Sequence, residues 1–184
     1  MIADRVAEAT ILFSDLVDFT SLAAKRSPEE TVALLGDVFS RFDSLAAAHG
    51  LEKIKTIGDG YMVAGGVPEE RADHAVTIAE MALEMLDAIE AAGRELGENL
   101  QLRIGLDTGA IVAGVIGTHK FLYDVWGDCV NTAKRMETYG LPGHIHVSAT
   151  TRQALGDRYR FEARGAMEVK GKGLMETFFL HRGR

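Results

Sequence analysis

The chain alternates compact apolar runs with longer stretches whose apolar residues recur every three or four positions. Residues 9–14 form an apolar run rich in β-formers, which predicts a buried strand stopping at Asp15, with Asp18-Phe19-Thr20 as a helix start behind it. Ser27-Pro28-Glu29-Glu30 combines a capping box with proline at the first helical position. Val32, Leu35, Phe39, Phe42 and Leu45 then predict an amphipathic helix ending at His49-Gly50. Residues 51–57 and 61–64 read as strands joined by the hairpin signal Gly58-Asp59-Gly60. A second long helix is predicted over 69–96, with Ala72, Ala75, Ile78, Ala82, Met85 and Ile89 on one side. Residues 102–107 and 111–115 read as two strands separated by Thr108-Gly109-Ala110, and a helix runs from near Asp128 to about Tyr139. Short strands at 144–147, 159–163 and 175–180 surround a small helix. The order strand, helix, hairpin, helix, strand is that of a ferredoxin-like α+β fold. The expectation is one antiparallel sheet with helices packed on one face, residues 1–184 forming a single domain.

Composition narrows the classes of function. With 47% hydrophobic and 26% charged residues the balance is that of a soluble globular chain. A net charge of −7 argues against a general nucleic-acid surface, but not against a nucleotide whose phosphates are met locally or through metal ions. No apolar run reaches the roughly 18 residues of a membrane span, and charges throughout the N-terminal segment argue against a signal peptide. A single cysteine, Cys129, excludes an internal disulfide and fits a reducing compartment. The chain is therefore expected to be cytoplasmic, with no membrane contact of its own.

Several residues carry candidate chemistry. Asp15 ends an apolar strand and Asp59 sits on a hairpin tip. Alone, each reads as well as a cap or turn aspartate. In the fold expected here both reach one rim of the sheet, where two carboxylates need a cation, and oxygen ligands suit Mg²⁺ or Mn²⁺. The backbone from Val17 through Phe19 to Thr20, leading into a helix, offers amides to phosphates. Lys55 reads alone as a solvated strand lysine, and Asp124 stands among aromatics ahead of Asp128, the expected helix cap. Converging on one base, Lys55 and Asp124 form a donor and an acceptor that match adenine and mismatch guanine, each unpaired polar group costing about 1–3 kcal/mol. Asn131 and Arg135 are spaced to share a helix face, either as a solvated stripe or as groups that orient a ribose and stabilise charge on a phosphate. Lys170-Gly171-Lys172-Gly173 is a basic glycine-rich loop without Walker A spacing. The six histidines, His49 and His74 among them, and Cys129 have no metal spacing and read as structural or surface residues.

Five stretches, in order and spanning nearly the whole chain, resemble the class III adenylyl and guanylyl cyclases. They are Phe13-Ser14-Asp15-Leu16-Val17-Asp18-Phe19-Thr20, Lys55-Thr56-Ile57-Gly58-Asp59-Gly60-Tyr61-Met62, Arg103-Ile104-Gly105-Leu106-Asp107-Thr108-Gly109, the run from Tyr123-Asp124 through Asn131 and Arg135 to Glu137, and Val169-Lys170-Gly171-Lys172-Gly173. The resemblance implies two divalent ions held by Asp15 and Asp59, with Leu16 in the same metal set. It implies that Lys55 and Asp124 read the adenine of ATP, Asn131 and Arg135 serve the transition state, and Lys170 contacts the triphosphate. It further implies a head-to-tail homodimer whose sites are shared, one subunit giving the metal aspartates and its partner the other five residues. Family members specific for GTP usually carry glutamate and a small cysteine-like residue at the positions of Lys55 and Asp124, and neither stands here. The expected activity is adenylyl cyclase, making 3′,5′-cyclic AMP and pyrophosphate. Its rivals are guanylyl cyclase and a catalytically silent nucleotide-binding module.

Overall fold

The structure, a computed structural model, describes residues 2–117 and 119–183. Its strands are β1 (Ile2–Leu16), β2 (Glu52–Ile57), β3 (Gly60–Gly65), β4 (Leu102–Ile116), β5 (Leu122–Trp126), β6 (His144–Ser148), β7 (Arg160–Val169) and β8 (Gly173–His181). Its helices are α1 (Phe19–Ala23), α2 (Pro28–His49), α3 (His74–Leu96), α4 (Asp128–Thr138) and α5 (Ala149–Leu155). The sheet runs β2-β3-β1-β4-β6-β8-β7, with β5 attached to β4. Its first four strands have the ferredoxin-like order, and the fold is α+β as expected.

Two features of the sheet differ from the expectation. It is mixed, because β6 lies parallel to β4 while the other pairs are antiparallel. Helices also cover both faces. Leu12, Leu16, Ile104 and Leu106 face α2 and α3, where Phe42, Ile78, Met81 and Met85 are fully buried. Ile11, Phe13, Met62 and Val125 face the other way and pack with Cys129 and Ala133 of α4. The cause is visible at Gly105, where a Cβ would stand 2.0 Å from the Glu137 backbone nitrogen. Only a glycine lets α4 lie directly on the strand. Each fully buried aliphatic or aromatic side chain on either face contributes about 1.5–3 kcal/mol.

Other boundaries shift for local reasons. The two strands expected at 102–107 and 111–115 are one, because Thr108 and Gly109 pair with Thr10 and Ala9 of β1 instead of turning. The Thr108 hydroxyl is buried, 2.9 Å from Thr10 Oγ1 and 3.1 Å from Thr151 Oγ1, and Thr10 Oγ1 is 2.8 Å from His74 Nδ1. His74 is thus structural, as expected. Strand β5, read only as part of a motif, forms a hairpin with the far half of β4. The second long helix begins at His74, five residues later than expected, since Arg71 is bound to Asp73 and to the His49 and Gly50 carbonyls. In α2 the buried stripe is Leu34, Val38, Phe42 and Ala46, whereas Val32 is 69% exposed. The Ser27–Glu30 capping box forms as expected. The cap of α4 is Gly127, not Asp128, whose carboxylate pairs with Lys172.

His146 on β6 fixes the end of α4. It is fully buried, its Nδ1 donates to the Met136 carbonyl at 2.8 Å, and burial pushes its pKa down to about 4. A folded pKa below the unfolded value means that the unfolded chain takes up the proton first. Stability is therefore lost as pH falls from about 6.5 towards 4, about 2 kcal/mol of it by pH 5. Denaturant titrations of wild type and His146→Asn should show the variant weaker at pH 7.5, with the gap narrowing by that amount at pH 5. An unchanged gap would refute the assignment.

Candidate functional site

The site is built at one end of the sheet. Along β1, alternation places Ile11, Phe13 and Asp15 on the α4 side, and Asp15 comes where the strand is running out. Asp59 occupies the two-residue turn between β2 and β3, whose closing pair is Ile57 and Gly60. A Cβ on Gly60 would stand 3.4 Å from the Ser14 carbonyl oxygen and 3.0 Å from that of Ile57, so the bare glycine lets the hairpin tip close against β1. The Asp15 and Asp59 carboxyls come within hydrogen-bonding reach of each other.

That closeness has an electrostatic signature. Burial, the shared hydrogen bond with Asp59 and repulsion from Asp59 and Glu137 push Asp15 up to about 7, partly offset by Lys134. Two carboxylates crowded in this way fit a hard divalent cation, which would replace the shared proton. Among the described residues there is no group of three or more His, Cys, Asp or Glu side chains placed for a metal. Further ligands would have to come from water, backbone or substrate oxygens. Leu16, the third residue of the expected metal set, turns its side chain into the α2/α3 core, so only its backbone remains for that role.

The remaining candidates form two further groups. Lys55 on β2 and Asp124 on β5, 69 positions apart, meet with Nζ 2.6 Å from Oδ2, while Asp124 Oδ1 accepts from the Val125 amide at 2.8 Å. Asn131 and Arg135 lie on α4, Asn131 exposed and Arg135 half-buried. A Cβ on Gly171 would stand 3.4 Å from Arg135 Nη2, so Arg135 borders the loop that carries the exposed Lys170. Phe19 and Thr20 open the short helix α1, where Asp18 supplies no side-chain cap. A cavity of about 80 Å³ over the aspartates is lined by Phe13, Asp15, Ile57, Asp59, Gly60, Tyr61, Met62 and Lys134. None of Lys55, Asp124, Asn131, Arg135 and Lys170 lines it.

Three charged residues at this rim escaped the sequence reading. Arg103 pairs in register with Asp15 across β1 and β4, with Nη2 3.9 Å from the Asp15 carboxylate. Lys134 and Glu137 come from α4. All three fall inside the motif stretches, but only strand register shows what Arg103 faces. Lys134 and Glu137 have the spacing of an ordinary helical ion pair, which gave no reason to single them out.

The chain has clear relatives. Residues 1–182 match the family model described as Adenylate and Guanylate cyclase catalytic domain. The chain is 45% identical over 180 residues to an adenylate cyclase of Mycobacterium tuberculosis, covering 98% of this chain and 41% of that protein. It is 46% identical over 180 residues to guanylate cyclase soluble subunit beta-2 of Rattus norvegicus, covering 97% of this chain and 26% of that protein. Among solved structures, the guanylate cyclase domain of RhGC from Catenaria anguillulae in complex with GTP superimposes with a TM-score of 0.93 at 35% identity, covering 98% of this chain and all of that one. The chain spans about two fifths or less of the length of these two curated relatives.

The crowded carboxylates give a stability test. Asp15 is raised in the folded state, so its contribution is favourable below the unfolded pKa and is lost as pH rises towards 7. In chelator-treated protein Asp15→Asn should therefore be more stable than wild type at pH 8, on the order of 2 kcal/mol, with the advantage vanishing near pH 4. Thermal melts at both pH values measure it. A variant less stable than wild type at pH 8 would sink the crowding argument.

Proposed function

Because the chain belongs to the adenylate and guanylate cyclase catalytic domain family, we propose that residues 1–184 form one catalytic domain that converts ATP to 3′,5′-cyclic AMP and pyrophosphate as a homodimer. The observation that carries the reading is the convergence of Asp15 and Asp59 at one rim. These two, with the Leu16 backbone beside them, would hold two divalent ions, Mg²⁺ or Mn²⁺. When bound, the ions supply charge neutralisation of the phosphates and acidify the ribose 3′-hydroxyl.

The chain's own residues then divide the remaining work. Lys55 and Asp124, already in contact, present a donor and an acceptor matching the N1 and exocyclic amine of adenine. Asn131 orients the ribose so that its 3′-oxygen lies in line with the α-phosphorus. As the 3′-oxygen bonds to that phosphorus, the bond to the pyrophosphate oxygen breaks and the 3′-hydroxyl proton passes to water. Arg135 stabilises the charge growing on the α-phosphoryl group, and Lys170 and the amides around Phe19 and Thr20 meet the triphosphate.

A shared site is supported by the absence of Lys55, Asp124, Asn131, Arg135 and Lys170 from the lining of the aspartate cavity. It is supported also by the apolar side chains left exposed along the β4–β5 hairpin, Val112, Ile116 and Leu122, with Phe121 next to it. Such a surface suits a second copy of the chain. Among the described residues no helix is long and apolar enough to cross a membrane. We read the domain as working in the cytoplasm, where ATP is supplied. A guanylyl cyclase remains the second reading, since the rat guanylate cyclase subunit is as similar as the mycobacterial adenylate cyclase.

Purified protein supplied with ATP or GTP and Mg²⁺ or Mn²⁺ should yield cyclic AMP by mass spectrometry, and cyclic GMP about tenfold or more less efficiently. A reversed preference would replace the adenylyl with the guanylyl assignment. Absence of cyclic product from either nucleotide would favour the silent module. Mixing inactive Asp15→Ala with inactive Arg135→Ala should restore activity through the one hybrid interface that is complete. Verified heterodimers without recovery would rule out shared sites.

A further inference from the structure

Helix α4 carries charged side chains towards two different places. Arg135 leans on the Lys170–Gly171 loop. Lys134, one residue earlier, lines the cavity over its own protomer's Asp15 and Asp59. Its ammonium is held 2.6 Å from Glu137 Oε2 and lies 5.7 Å from the Phe13 ring centroid. The Glu137 side chain is only 1% exposed, and its other oxygen has no hydrogen-bond partner. That oxygen is 3.5 Å from Arg103 Nε, which is likewise without a hydrogen bond, and Arg103 reaches on towards Asp15. The result is a line of alternating charge, Lys134, Glu137, Arg103 and Asp15, ending at the aspartate pair. A buried carboxylate is costly unless cations meet it, so Glu137 keeps both cations close to the rim.

We propose that Lys134 is a positioning residue for the metal–nucleotide end of its own protomer's site, a resident cation that Glu137 tethers beside Asp15 and Asp59. The proposal rests on the metal assignment of those aspartates. A fixed ammonium there acts in opposite directions on two ligands. It repels a bare divalent ion, and it attracts the metal–triphosphate complex, whose net charge is negative. The site thereby favours metal arriving with nucleotide over metal alone. The same helix that offers Asn131 and Arg135 to one site would position the phosphate end of the other.

The opposed signs make the test. Mn²⁺ binding is measured by electron paramagnetic resonance without nucleotide, for wild type, Lys134→Met, Lys134→Arg and Asp15→Ala, with KM for Mn²⁺–ATP measured alongside. Lys134→Met should bind bare Mn²⁺ about three- to tenfold more tightly and show a KM raised by a similar factor, the size of a screened charge interaction over a few ångström. Lys134→Arg should stay near wild type in both. If Lys134→Met weakens both or changes neither, Lys134 is a structural or bystander residue and the proposal fails. If wild type and Asp15→Ala bind Mn²⁺ alike, the metal assignment itself is wrong and the proposal goes with it.

Discussion

The structure turns on two like charges being held together. Asp15 and Asp59 come from segments 44 positions apart in the chain, and the only force between two ionised carboxylates is repulsion. They stay together because the backbone gives them no choice. β1 and β3 are paired from Thr10 to Ser14, so the end of one strand and the tip of the adjoining hairpin must share a rim. Hydrogen bonds of the ladder and the apolar burial on both faces outweigh the local repulsion, which therefore persists and holds the Asp15 pKa up. A site of this kind stores the demand for a cation in the fold itself.

The other charged residues are arranged around that demand. Arg103 reaches Asp15 because β4 pairs with β1 in a register that puts the two opposite each other. Glu137 sits behind Arg103 because α4 lies against Gly105, two residues further along the same strand. One missing side chain thus sets both the height of the helix and the reach of its charges. Any larger residue at Gly105 would lift α4 and move Lys134, Arg135 and Glu137 together. Packing and electrostatics here are one design.

Much of this was legible from the sequence because the relevant signals are local. The Ser27 capping box, the Gly50 stop and the turn between β2 and β3 are short-range patterns, and each formed where its residues predicted. The five ordered stretches made the family recognisable, since each holds charged residues, and all but the first hold glycines, that an ordinary strand or helix does not need. What escaped depends on distant partners. Thr108-Gly109-Ala110 has turn chemistry, but Thr108 and Gly109 pair with β1, and the parallel alignment of β6 with β4 leaves no trace in either strand's composition. Val32 fits a helical repeat, yet the face that packs is one defined by α3, which put Leu34 and Val38 inside instead. Arg103 and Lys134 were passed over for the same reason: their importance lies in what they face.

The Lys55–Asp124 contact shows how specificity can follow from such pairing. In the free chain the two side chains satisfy each other at 2.6 Å, both partly exposed to solvent, where an ion pair contributes little, about 1 kcal/mol or less. On the proposed reading a purine must part them and take over both partners. Adenine replaces the lost contact with two complementary hydrogen bonds in a drier environment, where each is stronger than in water. Guanine would confront the ammonium with an N–H donor and the carboxylate with a carbonyl acceptor, leaving both charges unpaired once water is excluded. On the proposed reading, the cheapness of the pair in solvent is what would make it a usable reader. On that reading, selection would come from the cost of stranding the two charges against the wrong base, not from the strength of their bond to each other.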